Sequence, residues 1–184
     1  MRRTLIFVPV VMLVAGVGVA RAQGVQGQTP ATVHAKTSKP IVATDSRFMM
    51  KAAQAGDAEI DLAMLADGKT KTPAVTQLAA KIKSDHEAAA AELKALATQK
   101  DVALPSGPTE IQKATKARLD KLSDAAFDRA YAAQMIADHR AAITVFTTAT
   151  KSADADVKAF AVKTLPILKD HLQRSIDLQK QLVK

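Results

Sequence analysis

The chain has 184 residues, no cysteine, no tryptophan and a formal net charge of +8. The lack of cysteine excludes disulfides, thiolate metal sites, a cysteine nucleophile and the lipidated cysteine of a lipoprotein. The basic residues form no dense cluster interleaved with aromatic residues, so the sequence does not predict nucleic-acid binding.

Residues 1–22 have the pattern of a secretory signal peptide. Arg2 and Arg3 precede an apolar run from Leu5 to Ala20, and an Ala-Arg-Ala sequence follows at its end. We predict cleavage after Ala22 and a periplasmic mature protein with a net charge of +5. The apolar run is shorter than the ~20 residues of a spanning helix, so we expect no stable membrane insertion after cleavage. An uncleaved anchor is the alternative.

The mature chain divides into a leader and one domain. Residues 23–44 are rich in Gly, Gln, Thr and Pro without periodicity, which predicts a disordered leader in which His34 has no role. Residues 45–184 are rich in alanine and have almost no glycine after Gly68. This composition and length predict a single all-α domain.

The first predicted helix runs from Asp45, as its N-cap, to Gly68, as its C-terminal glycine. Glu59 completes the helical spacing of its apolar stripe. The other members of that stripe are Phe48, Ala52, Ala55, Leu62 and Ala66. No neighbour one turn away can pair with Glu59, so an inward carboxylate needs a partner from another helix. The alternative is that Glu59 tilts out to solvent.

The second predicted helix opens at Thr72 and Pro73, an N-cap followed by proline at the first helical position. His86 falls on its apolar face. The preceding Asp85 can pair with Lys81 one turn back, which predicts a solvated surface pair. After the loop DVALPSGP, the segment TEIQKATKARLDKL predicts a short amphipathic helix.

The third long helix contains AAQMIADHRAAITVF and is predicted to be capped by Ser123 or Asp124. His139 lies at the centre of its apolar face, so we expect the imidazole to point inward. The neighbouring Asp138 has no cation one turn away on its own helix. Tyr131 lies near the start of the same helix.

The last predicted helix runs from about Asp154 to Leu182. His171 is predicted to face inward, and the preceding Asp170 is predicted to form a surface pair with Arg174. Four long amphipathic helices with short connections, plus one short extra helix, favour an antiparallel four-helix bundle.

Each long helix therefore offers one inward polar side chain to the centre of the bundle. These side chains are Glu59, His86, His139 and His171. Three nitrogens and a carboxylate oxygen suit Zn(II), Fe(II), Mn(II) or Cu(II). The aspartates that precede the histidines, especially Asp138, could hold a histidine of a neighbouring helix in the right tautomer, and Tyr131 could also support the ligands. A buried polar network that only orders the core would leave the same pattern, and this alternative stays open.

Four segments resemble an exported bacterial family, domain of unknown function 4142, which is a ferritin-like helical bundle. The segments are AAQAGDAEIDLAMLA, KIKSDHEAAAAEL, FDRAYAAQMIADHRAAITVF and FAVKTLPILKDHL. The resemblance implies the fold and export, places the four site residues at the family's motif positions, and brings no established activity. Lys83 and Ile136 stand three residues before His86 and His139, so the Glu-x-x-His pairs of di-iron proteins are absent and ordinary ferroxidase chemistry is not implied.

The segment MIADHRAAI is also similar to the MI-x-HH-x-x-A pattern of exported copper-binding bundles. His139 matches the second histidine of that pair, Asp138 replaces the first, and no methionine follows, which favours another metal over copper. Two hypotheses remain: a metal-binding protein, or a structural or stress-related interaction protein whose histidines only order the core. The sequence predicts no reaction, substrate or protein partner.

Overall fold

The computed structural model describes residues 41–183, so the predicted signal peptide and residues 23–40 of the predicted leader lie outside it. The described residues form five helices and no strand. The helices are α1 (Ala43–Lys69), α2 (Pro73–Gln99), α3 (Glu110–Asp120), α4 (Asp124–Ala149) and α5 (Ala155–Leu182). The predicted all-α bundle with one short extra helix is confirmed. Over the described range, no helix combines the length and apolarity needed to cross a membrane.

The start of α1 differs from the prediction. Asp45 is not its N-cap, because the helix begins two residues earlier. Asp45 instead lies buried in the first turn, where a carboxylate is favoured by the helix dipole, and accepts a hydrogen bond of 2.7 Å from the Ser152 hydroxyl. The helix also ends one residue beyond Gly68, at Lys69.

The other helix starts lie where the sequence predicts them. Thr72 is the N-cap of α2 with Pro73 in its first turn, and Ser123 is the N-cap of α4. Asp154 caps α5 by accepting hydrogen bonds from two backbone N–H groups at 3.0 and 3.1 Å. A side-chain oxygen in this position satisfies donors that the first turn leaves without an intrahelical partner.

The long helices form a four-sided bundle in which α1 and α5 each pack against α2 and α4. Phe48, near the start of α1, packs on Phe146, near the end of α4, with ring centroids 5.0 Å apart. The two helices are therefore antiparallel, so α2 and α4 point in the same direction. Residues 100–123, which include α3, must consequently run back along the length of the bundle. Among the four long helices, short connections join only the pairs α1–α2 and α4–α5.

Two apolar clusters fill the bundle and leave its middle to polar side chains. The largest buried members of the first cluster are Leu62, Ile82, Leu119, Phe127, Tyr131 and Met135. Those of the second are Phe48, Met49, Leu93, Phe146, Phe160 and Leu168. These clusters hold the four helices at fixed separations on both sides of the candidate site.

A buried carboxylate ties the α1–α2 connection to α4. Asp128 accepts hydrogen bonds from the hydroxyls of Thr70 at 2.6 Å and Thr72 at 2.5 Å. Replacing it with alanine leaves both hydroxyls without their acceptor, so Asp128→Ala should lower the free energy of unfolding by about 3 kcal/mol. Asp67→Ala, an exposed position on α1, should change it by less than about 0.5 kcal/mol. Urea denaturation of both variants measures the difference, and equal effects would contradict this role.

Candidate metal centre

One polar side chain from each long helix reaches the middle of the bundle. Glu59, His139 and His171 are at most 2% exposed, and His86 is 8% exposed. One nitrogen from each histidine lies within 4.8 Å of the corresponding nitrogens of the other two. The structure thus brings together all four residues that the sequence nominated as ligands.

The orientation of His139 is fixed from its own helix. Its Nδ1 lies 2.8 Å from the carbonyl oxygen of Met135. Because a carbonyl can only accept, Nδ1 must carry the proton, and the neutral ring presents a lone pair at Nε2. That Nε2 faces His171 Nδ1 at 3.1 Å and Glu59 Oε2 at 3.3 Å.

His171 is oriented by a carboxylate from the neighbouring helix. Its Nε2 lies 2.7 Å from Oδ2 of Asp85. Burial raises the pKa of Asp85, but hydrogen bonds with Lys81 and His171 outweigh burial and hold that pKa below its usual value. The ionised carboxylate can only accept, so Nε2 carries the proton and Nδ1 of the neutral His171 ring presents a lone pair.

His86 and Glu59 complete the cluster. Nε2 of His86 lies 2.6 Å from Oε2 of Glu59, but the approach does not have the geometry of a hydrogen bond. Among residues 41–183, neither of these two buried atoms has a hydrogen-bond partner. Both atoms instead point towards the region that the other two imidazoles share.

The charges within the cluster follow from its burial. Burial raises the pKa of Glu59, but the positive charge available on His86, His139 and His171 outweighs it and lowers that pKa. Burial lowers the pKa of His86, but Glu59 outweighs it, so that pKa is raised. Burial and the other two histidines lower the pKa of His171 to about 4. Near neutral pH, Glu59 is therefore a carboxylate and His171 is neutral.

In the described part of the chain, two residues that the sequence assigned to a supporting role make no hydrogen bond to the imidazoles. Asp138 is held by Gln134, whose Nε2 donates to both carboxylate oxygens at 2.9 and 3.1 Å. The expectation that Asp138 orients a histidine of a neighbouring helix is therefore wrong. The Tyr131 hydroxyl is buried without a hydrogen-bond partner in the described part of the chain, and burial and Glu59 raise its pKa.

Among the aspartates that precede the histidines, Asp85 is the one that contacts a histidine of a neighbouring helix, a role that the sequence analysis gave chiefly to Asp138. The predicted pair with Lys81 is present at 2.9 Å, but the same Oδ2 also contacts His171. A signal existed, because Asp85 precedes His86 and so lies beside the helix face that points inward. Helical spacing could not show that His171 of α5 would be the partner.

These features define an all-α bundle with a buried cluster of three histidines and one glutamate. The chain belongs to the family described as domain of unknown function (DUF4142), whose family model matches residues 29–178. No curated protein matches the sequence.

Solved structures share the fold at low sequence identity. A DUF305 fragment from Deinococcus radiodurans has a TM-score of 0.71 and 14% identity, with 78% of this chain and 99% of that chain covered. CopM in its Cu(I)-bound form has a TM-score of 0.64 and 19% identity, with 76% and 98% covered. CopM in its Cu(II)-bound form has a TM-score of 0.62 and 21% identity, with 75% and 96% covered.

Proposed function

We propose that this chain is a periplasmic protein that binds one divalent transition-metal ion in the middle of its bundle. The ligands are His86, His139 and His171, with Glu59 as the fourth. The observation that carries the proposal is the 3.1 Å approach of His139 Nε2 to His171 Nδ1. The Met135 carbonyl holds the proton of His139 on Nδ1, and Asp85 holds the proton of His171 on Nε2. The lone pairs of His139 Nε2 and His171 Nδ1 therefore face each other.

Two facing lone pairs repel unless a cation lies between them. A proton would serve, but the low pKa of His171, about 4, disfavours a shared proton at neutral pH. A metal ion would accept both nitrogens at once, together with Nε2 of His86 and Oε2 of Glu59. Met135 and Asp85 would then keep the inner nitrogens free for the metal by holding the protons on the outer ones.

The donor set favours Cu(II) as the ion bound most tightly. Nitrogen and oxygen sites follow the Irving–Williams order, in which Cu(II) exceeds Zn(II), Fe(II) and Mn(II). In the sequence, the lack of methionine after His139 argued against copper. Sulfur ligands select Cu(I), so this argument applies to Cu(I) and not to Cu(II). CopM, a protein of similar fold, has Cu(I)-bound and Cu(II)-bound forms, which supports copper as the first metal to test.

The periplasmic location of the protein is part of the same proposal. Removal of residues 1–22 would release a chain that starts at Gln23, and no later segment of the described bundle is suited to crossing a membrane. If the chain is exported unfolded, it can bind its metal only in the periplasm.

One purification tests the periplasmic location and the bound metal ion together. Untagged protein from the native periplasm should have an intact mass that begins at Gln23 and should carry about one metal ion per chain by elemental analysis. After chelation, Cu(II) should bind more tightly than Zn(II). Trace metal content, together with no change of melting temperature on adding either ion, would contradict the metal site. It would favour the alternative that the polar side chains only order the core.

A further inference from the structure

A cleft of about 320 Å³ lies between α1 and α4 and borders Glu59 of the candidate metal centre. Its walls include Ala55 on α1 and Ala142 and Val145 on α4, and Gln112 of α3 lies at its rim. The small side chains of the alanines leave the space between the two helices unfilled. Glu59, whose side chain is 3% exposed, lines the inner part of the cleft.

Asp138 also lines this cleft, on the same wall as the alanines of α4. Gln134 holds both of its carboxylate oxygens, so the group is fixed in position although no cation of its own helix lies one turn away. A fixed carboxylate in a partly buried cleft attracts cations more strongly than one in open water. The fold thus places a second acidic group beside the path to Glu59.

Less space lies beside His86 than beside Glu59. The cavity beside His86 has a volume of only about 30 Å³ and is lined by Gly56, Phe146 and Phe160 among others. His171 lies behind the ion pair of Asp85 and Lys81. A divalent ion with six waters at about 30 Å³ each needs roughly 180 Å³, which the cleft between α1 and α4 can hold and the small cavity cannot.

We propose that this cleft is the access route of the metal ion and that Asp138 is a transient ligand that passes the ion to Glu59. The proposal rests on the metal-binding function above. Asp138 binds the partly hydrated ion first, Glu59 replaces further waters, and the imidazoles of the cluster complete the transfer. Asp138 does not contact the ion in its final position, so it controls rates rather than affinity.

Rapid mixing of the chelated protein with Cu(II) tests the route. Tyr131 is the only tyrosine and the chain has no tryptophan, so quenching of its emission reports arrival of the ion. Ala142→Leu narrows the cleft and should slow both association and dissociation by on the order of tenfold, with the dissociation constant unchanged. Ala91→Leu, at an exposed position of α2 that does not line the cleft, is the matched control and should load at the wild-type rate.

A second pair of variants keeps the packing intact. Asp138→Asn preserves the shape of the side chain and removes its charge, so it should slow association and dissociation on the order of tenfold. Asp67→Asn changes the net charge equally at an exposed position outside the cleft and should have no such effect. Loading of both cleft variants at the wild-type rate would overturn the route while leaving the metal site in place. A wild type that binds no Cu(II) would overturn both proposals.

Discussion

Replacing His139 with alanine should abolish most of the stabilisation that a metal ion gives to this bundle. A ligand that binds only the folded state, at a hundred times its dissociation constant, adds about 2.7 kcal/mol. For a domain of this size that is a rise of roughly 8 °C in the melting temperature. The variant lacks the Nε2 atom that lies 3.1 Å from His171 Nδ1 and 3.3 Å from Glu59 Oε2. Its affinity for Cu(II) should fall by more than the 10- to 100-fold typical of losing an outer-shell partner.

The metal-free His139→Ala variant should remain folded, because both apolar clusters are unchanged. Far-ultraviolet circular dichroism checks this, and thermal scans with and without Cu(II) measure the lost shift. His34→Ala is the matched control, since it makes the same substitution in the predicted leader and should keep the full rise. A wild-type shift that survives in His139→Ala would show that the ion binds elsewhere.

The sequence predicts the bundle well because its helices carry strong local signals. Pro73 after Thr72, and Asp154 before the last helix, mark helix starts that the structure confirms. The prediction of Asp45 as the N-cap of α1 was wrong, because a carboxylate is favoured both as an N-cap and within the first turn. The choice between those positions depends on its contact with Ser152, which lies 107 residues away.

The candidate ligands could also be nominated from helical spacing, since each one occupies an apolar register. Spacing gives no distances between helices, so it could not show that three imidazoles approach within 4.8 Å. For the same reason, helical spacing could not predict that His171 contacts Asp85, or that Asp138 is held by Gln134 and not by a histidine. Those assignments depend on how α2, α4 and α5 are rotated against one another, which the two apolar clusters set together.

The position of the site between two apolar clusters explains how the bundle tolerates it. The facing lone pairs of His139 and His171 oppose folding in the metal-free protein, because buried polar atoms without compensating partners are costly. The apolar clusters on either side hold the four helices at the same separations whether or not a cation lies near the facing lone pairs. The candidate ligands are therefore held close together without an ion, which would lower the cost of ordering them if one binds.

In the metal-free protein, the contact between Glu59 and His86 should make stability depend on pH. The pKa of His86 is raised, so its contribution is fully present below the ordinary histidine value of 6.5 and is lost as pH rises through the folded value. The pKa of Glu59 is lowered, so its contribution is present above 4.5 and is lost as pH falls through the folded value. The ion pair therefore stabilises the fold most between about pH 4.5 and 6.5.

Glu59→Gln removes the charge and keeps the shape, so its effect should change across this range. At pH 6 the variant should be less stable than the wild type by about 3 kcal/mol, since one partner of a buried pair is lost. At pH 9 it should be at least as stable, because the amide can donate to the neutral His86 ring while the wild type keeps a buried carboxylate without a cation. Urea denaturation with chelator at both pH values measures the change. Glu92→Gln, which removes an exposed charge that pairs with Lys163 at 2.6 Å, should stay within about 1 kcal/mol throughout. A loss for Glu59→Gln that is the same at pH 6 and pH 9 would rule out the ion pair as its cause.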